Sequence, residues 1–418
     1  DIDYCWKDRD TVLDYVFKKY GKKHTALLGT VTNFKDRSMV RELGKVFGLP
    51  KQQIETLVNM PEEKVEAALK NKELDEISTM IFKIGASLQR TPNYRSIHAG
   101  GVLISELPLS YYTALDLPPK GYPTVQWDMH TAEEIGFEKL DILSQRGIGH
   151  INDAVKLIKK NQGIEIDIHD IKRFTEDEKI KEHLRNGDSI GCFYVESPAM
   201  RGLLRKLKCD TYLMLTAASS IIRPGVASSG MMKEFIRRFH DQENIQYAHP
   251  IMEEQLKETF GVMIYQEDVL KIGHHYGGLN LAEADMLRRL MSGKKRGVKH
   301  LENIKDKFFD NCKAKGYDKS VSETIWYQME SFAGFSFSKA HSASYAVESY
   351  QSLFLKAYYP FEFIVAVINN FGGFYRTWVY IYEAKKLGGN VHLPCVNNSD
   401  HLTTLYGRDI YLGFIHIK

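Results

Sequence analysis

The chain begins Asp1-Ile2-Asp3, two acids separated by one isoleucine. Residues i and i+2 of a strand project from the same face, about 6.5–7 Å apart along the chain. In a strand over 1–6, Asp1 and Asp3 therefore share a face and Ile2 points into the core behind them. Two carboxylates on one face repel unless a cation lies between them. Two divalent ions about 3.5–4 Å apart fit such a pair, and a third acid completes the cage. One ion then lowers the pKa of an attacking hydroxyl while the other stabilises charge on a leaving oxygen, which is phosphoryl-transfer chemistry. A lone Asp-x-Asp is usually structurally trivial. Asp141 is less so: it sits within Leu140-Asp141-Ile142-Leu143, an apolar strand in which a carboxylate is costly unless paired or metal-bound. Lys139, two residues earlier, falls on the same face and either pairs with Asp141 or faces a phosphate.

The elements that must carry these residues are predicted from pattern. Residues 1–6 alternate like a short strand. Residues 10–20 have helical spacing (Val12, Leu13, Val16, Phe17) and stop at Gly21. Helices are expected over 36–48 and 51–59, separated by Gly-Leu-Pro, and over 61–77, where Pro61 suits a first turn, continuing to about Arg90. The stretch 33–93 thus reads as a small, mostly helical insert. HAGGVLIS (98–105) reads as a turn into a strand, and TVQW (124–127) and FEKLDIL (137–143) as further short strands. From Gly147 onward helix follows helix, with breaks at 223–230, 277–280, 292–297 and 333–342. The end, IYLGFIHIK (410–418), alternates like a strand. No internal repeat or low-complexity tract is present.

A chain of 418 residues is too long for one compact core, so two to four domains are expected. No apolar run approaches the roughly 20 residues of a membrane helix. Cys5, Cys192, Cys209, Cys312 and Cys395 are far apart and none has zinc-site spacing, which predicts a reduced, cytoplasmic compartment. A net charge of +3 selects no partner. Local basic clusters at 201–208, 233–240, 288–300 and 305–316 suit a protein with one positive groove, or are solvated helix faces.

Taken in order, DIDYCWKDRDTVLDYVFKKYG, HAGGVLIS, TVQWDM, EKLDIL, GCFYVESPAMRGLLRKL, IIRPGVASSGM, TFGVMIYQEDVLKI, ADMLRRLMSGKK and FAGFSFSKAHSASYAVESYQSLFLKAYYP resemble blocks of the C-family bacterial DNA polymerases, the polymerase III alpha chains. INNFGGFYRTWVYIYEAKKLG is more similar to the accessory, error-prone branch of that family. The resemblance implies an α+β, mostly helical right-hand polymerase. Its incomplete palm, of the polymerase-beta nucleotidyltransferase type, would be 1–32 and 94–146, its thumb 33–93 and its fingers 147–418. It implies that Asp1, Asp3 and Asp141 are catalytic and bind two Mg²⁺ ions, with Lys139 near the nucleotide phosphates.

The same resemblance implies nucleotide-binding roles for Arg223, Arg288, Arg289, Lys294, Lys295, Lys339 and His341. Physical reasons agree. Arg288 and Arg289 on a helix, followed by Lys294 and Lys295, form a dense cationic patch. Arg223 sits on a stiff Arg-Pro-Gly turn, and Lys339 and His341 precede a long helix, whose N-terminus attracts anions. The bland alternative for each is a surface cation. His98 is either a packed turn histidine or an active-site residue, and Tyr265 and Gln266 either touch the nucleotide or pack. Ser336, Ser338 and Ala340 replace the family's usual glycine, asparagine and serine. Val226 replaces a proline, and Ile-Leu-Ser-Gln follows Asp141 in place of Phe-Leu-Gly-Leu. These departures leave the acids alone and bear on nucleotide fit and on a replicative against a bypass role.

Implied partners are primer–template DNA, deoxynucleoside triphosphates and, in the full-length protein, a sliding clamp and other replisome subunits. A start at Asp rather than Met is read as a fragment, with the rest of the palm expected upstream and the docking regions downstream. Two other functions remain open: a noncatalytic DNA-binding piece, and a metal-dependent phosphodiesterase, for which no His-x-His or His-x-Asp cluster supplies a water-orienting base.

Overall fold

A computed structural model describes residues 2–222, 230–291, 298–331 and 338–417. The protein is α+β and mostly helical, and it divides into two compact units, Asp1–Gln145 and Arg146–Lys418.

The first unit contains β1 (Ile2–Cys5), α1 (Arg9–Tyr20), β2 (Thr25–Asn33), α2 (Asp36–Val46), α3 (Lys51–Val58), α4 (Glu62–Lys70), α5 (Glu76–Leu88), β3 (Pro92–Ile104), β4 (Leu115–Asp116), β5 (Thr124–Val125), α6 (Met129–Ile135) and β6 (Leu140–Gln145). Its strands form one mixed sheet in the order β1-β6-β3-β2-β5-β4. The sheet is covered on both faces. Leu13 and Phe17 of α1 pack on Leu27, Val102 and Ile142. Leu109, which precedes β4, and Ala132 of α6 lie with Ala26, Leu28, Leu103 and Val125 on the other side. Successive strand residues face opposite ways, so the run Ala26-Leu27-Leu28 is apolar throughout because each face meets a core. Gly29 lets β5 lie close: a Cβ there would stand 2.6 Å from the Val125 carbonyl oxygen and 2.9 Å from that of Trp127.

Helices α2–α5 are inserted between β2 and β3 and have their own core of Met39, Val40, Ile54, Leu57, Val58 and Ile81. The helix expected over 61–77 is two: α4 ends at Asn71, and Asp75 starts α5 by accepting the Ser78 N–H at 2.8 Å. Such a side-chain cap satisfies one of the amides a helix start leaves unpaired.

The second unit opens with α7 (Arg146–Gln162), α8 (Ile171–Glu176), α9 (Glu178–Asn186), α10 (Pro198–Lys206), α11 (Tyr212–Ile221), α12 (Met231–His240) and α13 (Pro250–Leu256). It continues with α14 (Gln266–His275), α15 (Leu281–Met291), α16 (Val298–Ala314), α17 (Lys319–Ser331), α18 (Lys339–Tyr358), α19 (Pro360–Asn369) and α20 (Thr377–Lys386). Helix α18 is buried from Ser349 through Ala357, and α19 from Glu362 through Ile368, so these two form the centre around which the others pack. A three-stranded sheet, β7 (Asn390–His392), β8 (Thr404–Tyr406) and β9 (Asp409–Tyr411), closes the unit in the order β7-β9-β8. The alternating end is therefore a strand only as far as Tyr411. Gly413 presses on the backbone of Leu402, 2.4 Å from where a Cβ would lie, and Phe414–His416 turn as a 3-10 helix. Among the described residues no helix is long and apolar enough to cross a membrane.

Candidate active site

Strand β1 runs parallel to β6 with Asp3 opposite Leu143. Directly paired residues of neighbouring strands point to one face, as do residues i and i+2 of one strand. Asp3, Leu143 and Asp141 therefore share a face, opposite the one on which Ile142 meets α1. Strand spacing and rise place the Asp3 and Asp141 Cα atoms on a diagonal of about 8 Å, a span two carboxylates can bridge through small cations.

The Asp141 side chain is 11% exposed, and its Oδ2 accepts a hydrogen bond from Lys139 Nζ. Its Oδ1 is buried and has no hydrogen-bond partner among the described residues. His98 Nδ1 lies 4.0 Å from that oxygen. This approach is not an ion pair, because Nδ1 already accepts the amide hydrogens of Gly100 at 3.2 Å and Gly101 at 2.8 Å. The ring proton is therefore on Nε2. Burial, and then the Lys139 charge, hold the histidine's pKa below its usual value against the pull of Asp141. A buried carboxylate oxygen without a donor is expensive, and a hard divalent cation is the ligand that oxygen donors suit. Asp3 Oδ2 faces Gln145 Nε2 at 3.4 Å. Asp3 and Asp141 thus fit two ligands of a metal site. Asp1, the third expected acid, lies outside the described residues, and among those described no three His, Cys, Asp or Glu gather as a metal cage.

Local sequence explains this placement. Between the pairs Leu27–Val102 and Gly29–Ile97, β2 contributes one residue and β3 contributes four, 98–101. His98-Ala99-Gly100-Gly101 is a bulge inside a strand, not a turn before one. Gly101 pairs with Asp141 and Val102 with Leu140. Arg9, the first residue of α1, donates from Nε to the Ile142 carbonyl at 2.9 Å and from Nη2 to the Ala99 carbonyl at 2.5 Å. Sequence reasoning missed Arg9, one of two cations in WKDRD, whose partners are 90 and 133 residues away.

In the second unit, Arg288 and Arg289 both hold Asp285, at 2.8 Å each, and Arg288 also donates to Gln266 Oε1 at 3.0 Å. Lys339 Nζ meets Glu258 at 2.7 Å and lies 5.5 Å from the centre of the Tyr265 ring. Glu267 caps α18, accepting from Lys339 N at 2.9 Å and from the Ser338 hydroxyl at 3.0 Å. Tyr265 is 2% exposed, and its hydroxyl has no hydrogen-bond partner among the described residues. Burial first, then Glu258, pushes its pKa far up. His341 packs against Tyr345 with ring centres 4.1 Å apart and the ring planes tilted by 47°. Tyr265, Gln266, Arg288 and Lys339 are thus linked through successive contacts, while Arg223, Lys294 and Lys295 lie outside the described residues.

Two regions match known family profiles. Residues 1–144 match one described as the bacterial DNA polymerase III alpha NTPase domain, and residues 148–316 match the bacterial DNA polymerase III alpha subunit finger domain. DNA polymerase III subunit alpha of Staphylococcus aureus (strain COL) is 33% identical over 429 aligned residues, covering 100% of this chain and 40% of that protein. The protein of the same name from Staphylococcus epidermidis (strain ATCC 35984) is 32% identical over the same span and shares. The chain therefore spans 40% of the length of these curated relatives. It belongs to the bacterial DNA polymerase III alpha-subunit family.

Proposed function

We propose that this chain is the catalytic middle of a DNA-directed DNA polymerase, which adds deoxynucleotides to a primer 3′-hydroxyl under template direction. The observation that carries the reading is the shared face of Asp3 and Asp141, with one oxygen of Asp141 buried and unpartnered. Asp1, Asp3 and Asp141 would hold two Mg²⁺ ions. Bound there, the ions lower the pKa of the primer hydroxyl and neutralise charge on the departing pyrophosphate. Lys139 holds one Asp141 oxygen, which would leave the other to serve as a metal ligand. Arg288, Arg289 and Lys339, with Arg223, Lys294, Lys295 and His341, offer donors to the triphosphate. Such catalysis is positioning and charge stabilisation without a covalent nucleophile.

DNA would be held through backbone phosphates, so binding falls steeply with salt and shows little sequence preference. The role is DNA replication in the bacterial cytoplasm, or lesion bypass if the accessory-branch likeness of 368–388 governs. A sliding clamp and other replisome subunits would join the longer protein. Primer extension with Mg²⁺ tests the reading: Asp141→Ala should abolish extension, and extension that survives it removes the proposed site. The 40% span favours a second reading, a DNA-binding segment that does not turn over alone. That reading holds if this chain binds primer–template DNA without extending it while the full-length protein extends it.

A further inference from the structure

We infer that His98 and Arg9 are positioning residues for Asp141, gripping the β3 bulge from its amide side and its carbonyl side. The inference rests on the proposed catalytic role of Asp141. The bulge sets four residues of β3 against Leu28 alone, so ladder bonds to β2 cannot hold it. Two of the four are glycines, whose backbone freedom makes an unsupported bulge costly to fix. Gly100 and Gly101 are buried, and their backbone groups still need partners, whereas Ala99 is exposed. His98 Nδ1 takes the Gly100 and Gly101 amides, and the Arg9 fork takes the Ala99 carbonyl and, from β6, the Ile142 carbonyl. One guanidinium thus ties the bulge to the residue that follows Asp141. A planar fork with two donors suits two carbonyls on separate strands in a way a lysine does not.

The bulge in turn bears on both acids. Gly101 is the ladder partner of Asp141. At Gly100 a Cβ would come 2.5 Å from Leu143 Cδ2, and Leu143 is the ladder partner of Asp3. Neither clamp residue donates to the Asp141 carboxylate. His98 presents it an acceptor at 4.0 Å, and Arg9 is spent on carbonyls. Their effect on the acid therefore runs through backbone, which leaves Oδ1 of Asp141 without a donor among the described residues.

Two substitutions of similar polarity separate this role from simple packing. In His98→Asn the amide oxygen takes the place of Nδ1 and can accept the amides two and three residues on, as in an Asx turn. In His98→Gln the acceptor stands one methylene too far. H98Q should lower primer-extension turnover about tenfold, equivalent to about 1.4 kcal/mol, with nucleotide KM little changed. It should also raise hydrogen exchange over 98–103 and 139–144. H98N should restore both, and Arg9→Gln should repeat the H98Q pattern. A general loss of packing would not be rescued by asparagine. H98Q with wild-type turnover, or H98N as impaired as H98Q, overturns the inference. Should the wild-type chain not extend primers, the polymerase reading of the chain alone fails. The exchange measurement then decides the clamp: unchanged exchange over 139–144 in H98Q overturns it, and increased exchange reversed by H98N supports it.

Discussion

Replacing Lys356 with methionine should unfold the second unit several degrees early. Lys356 lies on α18 with its side chain 1% exposed. Its ammonium donates to Glu383 Oε1 of α20 at 2.9 Å, to the Ile190 carbonyl at 3.0 Å and to Asp188 Oδ1 at 3.4 Å. Burial opposes its charge, yet the groups around it, Asp188 and Glu383 among them, hold its pKa above the usual value. Glu383 is itself only 3% exposed. Its remaining cation, Lys386, stands 4.0 Å away with a side chain 57% exposed. Removing one partner of a buried pair leaves the other charge uncompensated, at a cost of about 3–5 kcal/mol. Asp188 is one-third exposed, so its share is discounted and the lower end is the better figure. At about 2–4 °C per kcal/mol, the melting temperature should fall by roughly 6–12 °C. Thermal unfolding followed by far-ultraviolet circular dichroism reads this mainly from the helical second unit. Lys356→Met with Glu383→Leu should recover most of the loss, since apolar replacement of both partners is close to neutral. A single substitution costing under about 1 kcal/mol, or a double variant as unstable as the sum of its parts, refutes the reasoning.

Three further outcomes follow from particular contacts. Gly29→Ala sets a Cβ 2.6 Å from one backbone carbonyl and 2.9 Å from another, so β5 must move, at a cost of about 1–3 kcal/mol; unchanged thermal stability would show that β5 yields freely. Asp268 is buried and accepts the Ile264 and Tyr265 amides, yet burial pushes its pKa up to about 6. Its stabilising share is present below the unfolded pKa of about 3.9 and is lost as pH rises through about 6. Asp268→Asn should therefore be more stable than the wild type near pH 8 and lose that advantage near pH 4; an advantage independent of pH contradicts this. Asp188 has the opposite sign. Its hydrogen bond with His183, then Lys356 and Lys386, outweighs burial and holds its pKa well below the carboxylate range. Its share is present above about pH 3.9 and is lost as pH falls further, so Asp188→Asn should flatten the acid limb of the stability curve.

These contacts also show where sequence reading ends. Helix α1 was legible because Val12, Leu13, Val16 and Phe17 keep one period and Gly21, at φ +83°, stops it. Strand β2 was not, since Ala26, Leu27 and Leu28 feed two cores and so lack alternation. HAGG reads as punctuation because glycines usually mark turns, whereas here they permit a bulge within a strand running from Pro92 to Ile104. Thr124–Val125 is shorter than its β-branched run suggests because β4 pairs with it at only two positions. The pairing of β1 with β6 could not be derived locally, as no rule of spacing connects residue 3 with residue 143. At the candidate site, Asp3 and Asp141 were visible by residue type. Arg9 was not, because a guanidinium that serves backbone carbonyls leaves no pattern.

Arg288, Arg289 and Lys339 of the second unit are not bare. Asp285 holds Arg288 and Arg289, and Glu258 holds Lys339, so any phosphate must displace a carboxylate at each. Part-exposed pairs of this kind are worth about 0–1 kcal/mol each, which makes displacement cheap. A ligand with one charge gains little from such an exchange. One with several charges on a short chain gains at several places and loses its freedom only once, which is the logic of multivalency. In the proposed nucleotide site, carboxylate pairing would therefore discriminate by charge count, favouring a triphosphate over the single phosphates of the medium. The pair Lys139–Asp141 is different in kind. With side chains 18% and 11% exposed, it is the more costly to separate. Lys139 is thus better suited to fixing an acid than to leaving it for a substrate, and the exchangeable cations of the proposed mechanism would be Arg288, Arg289 and Lys339.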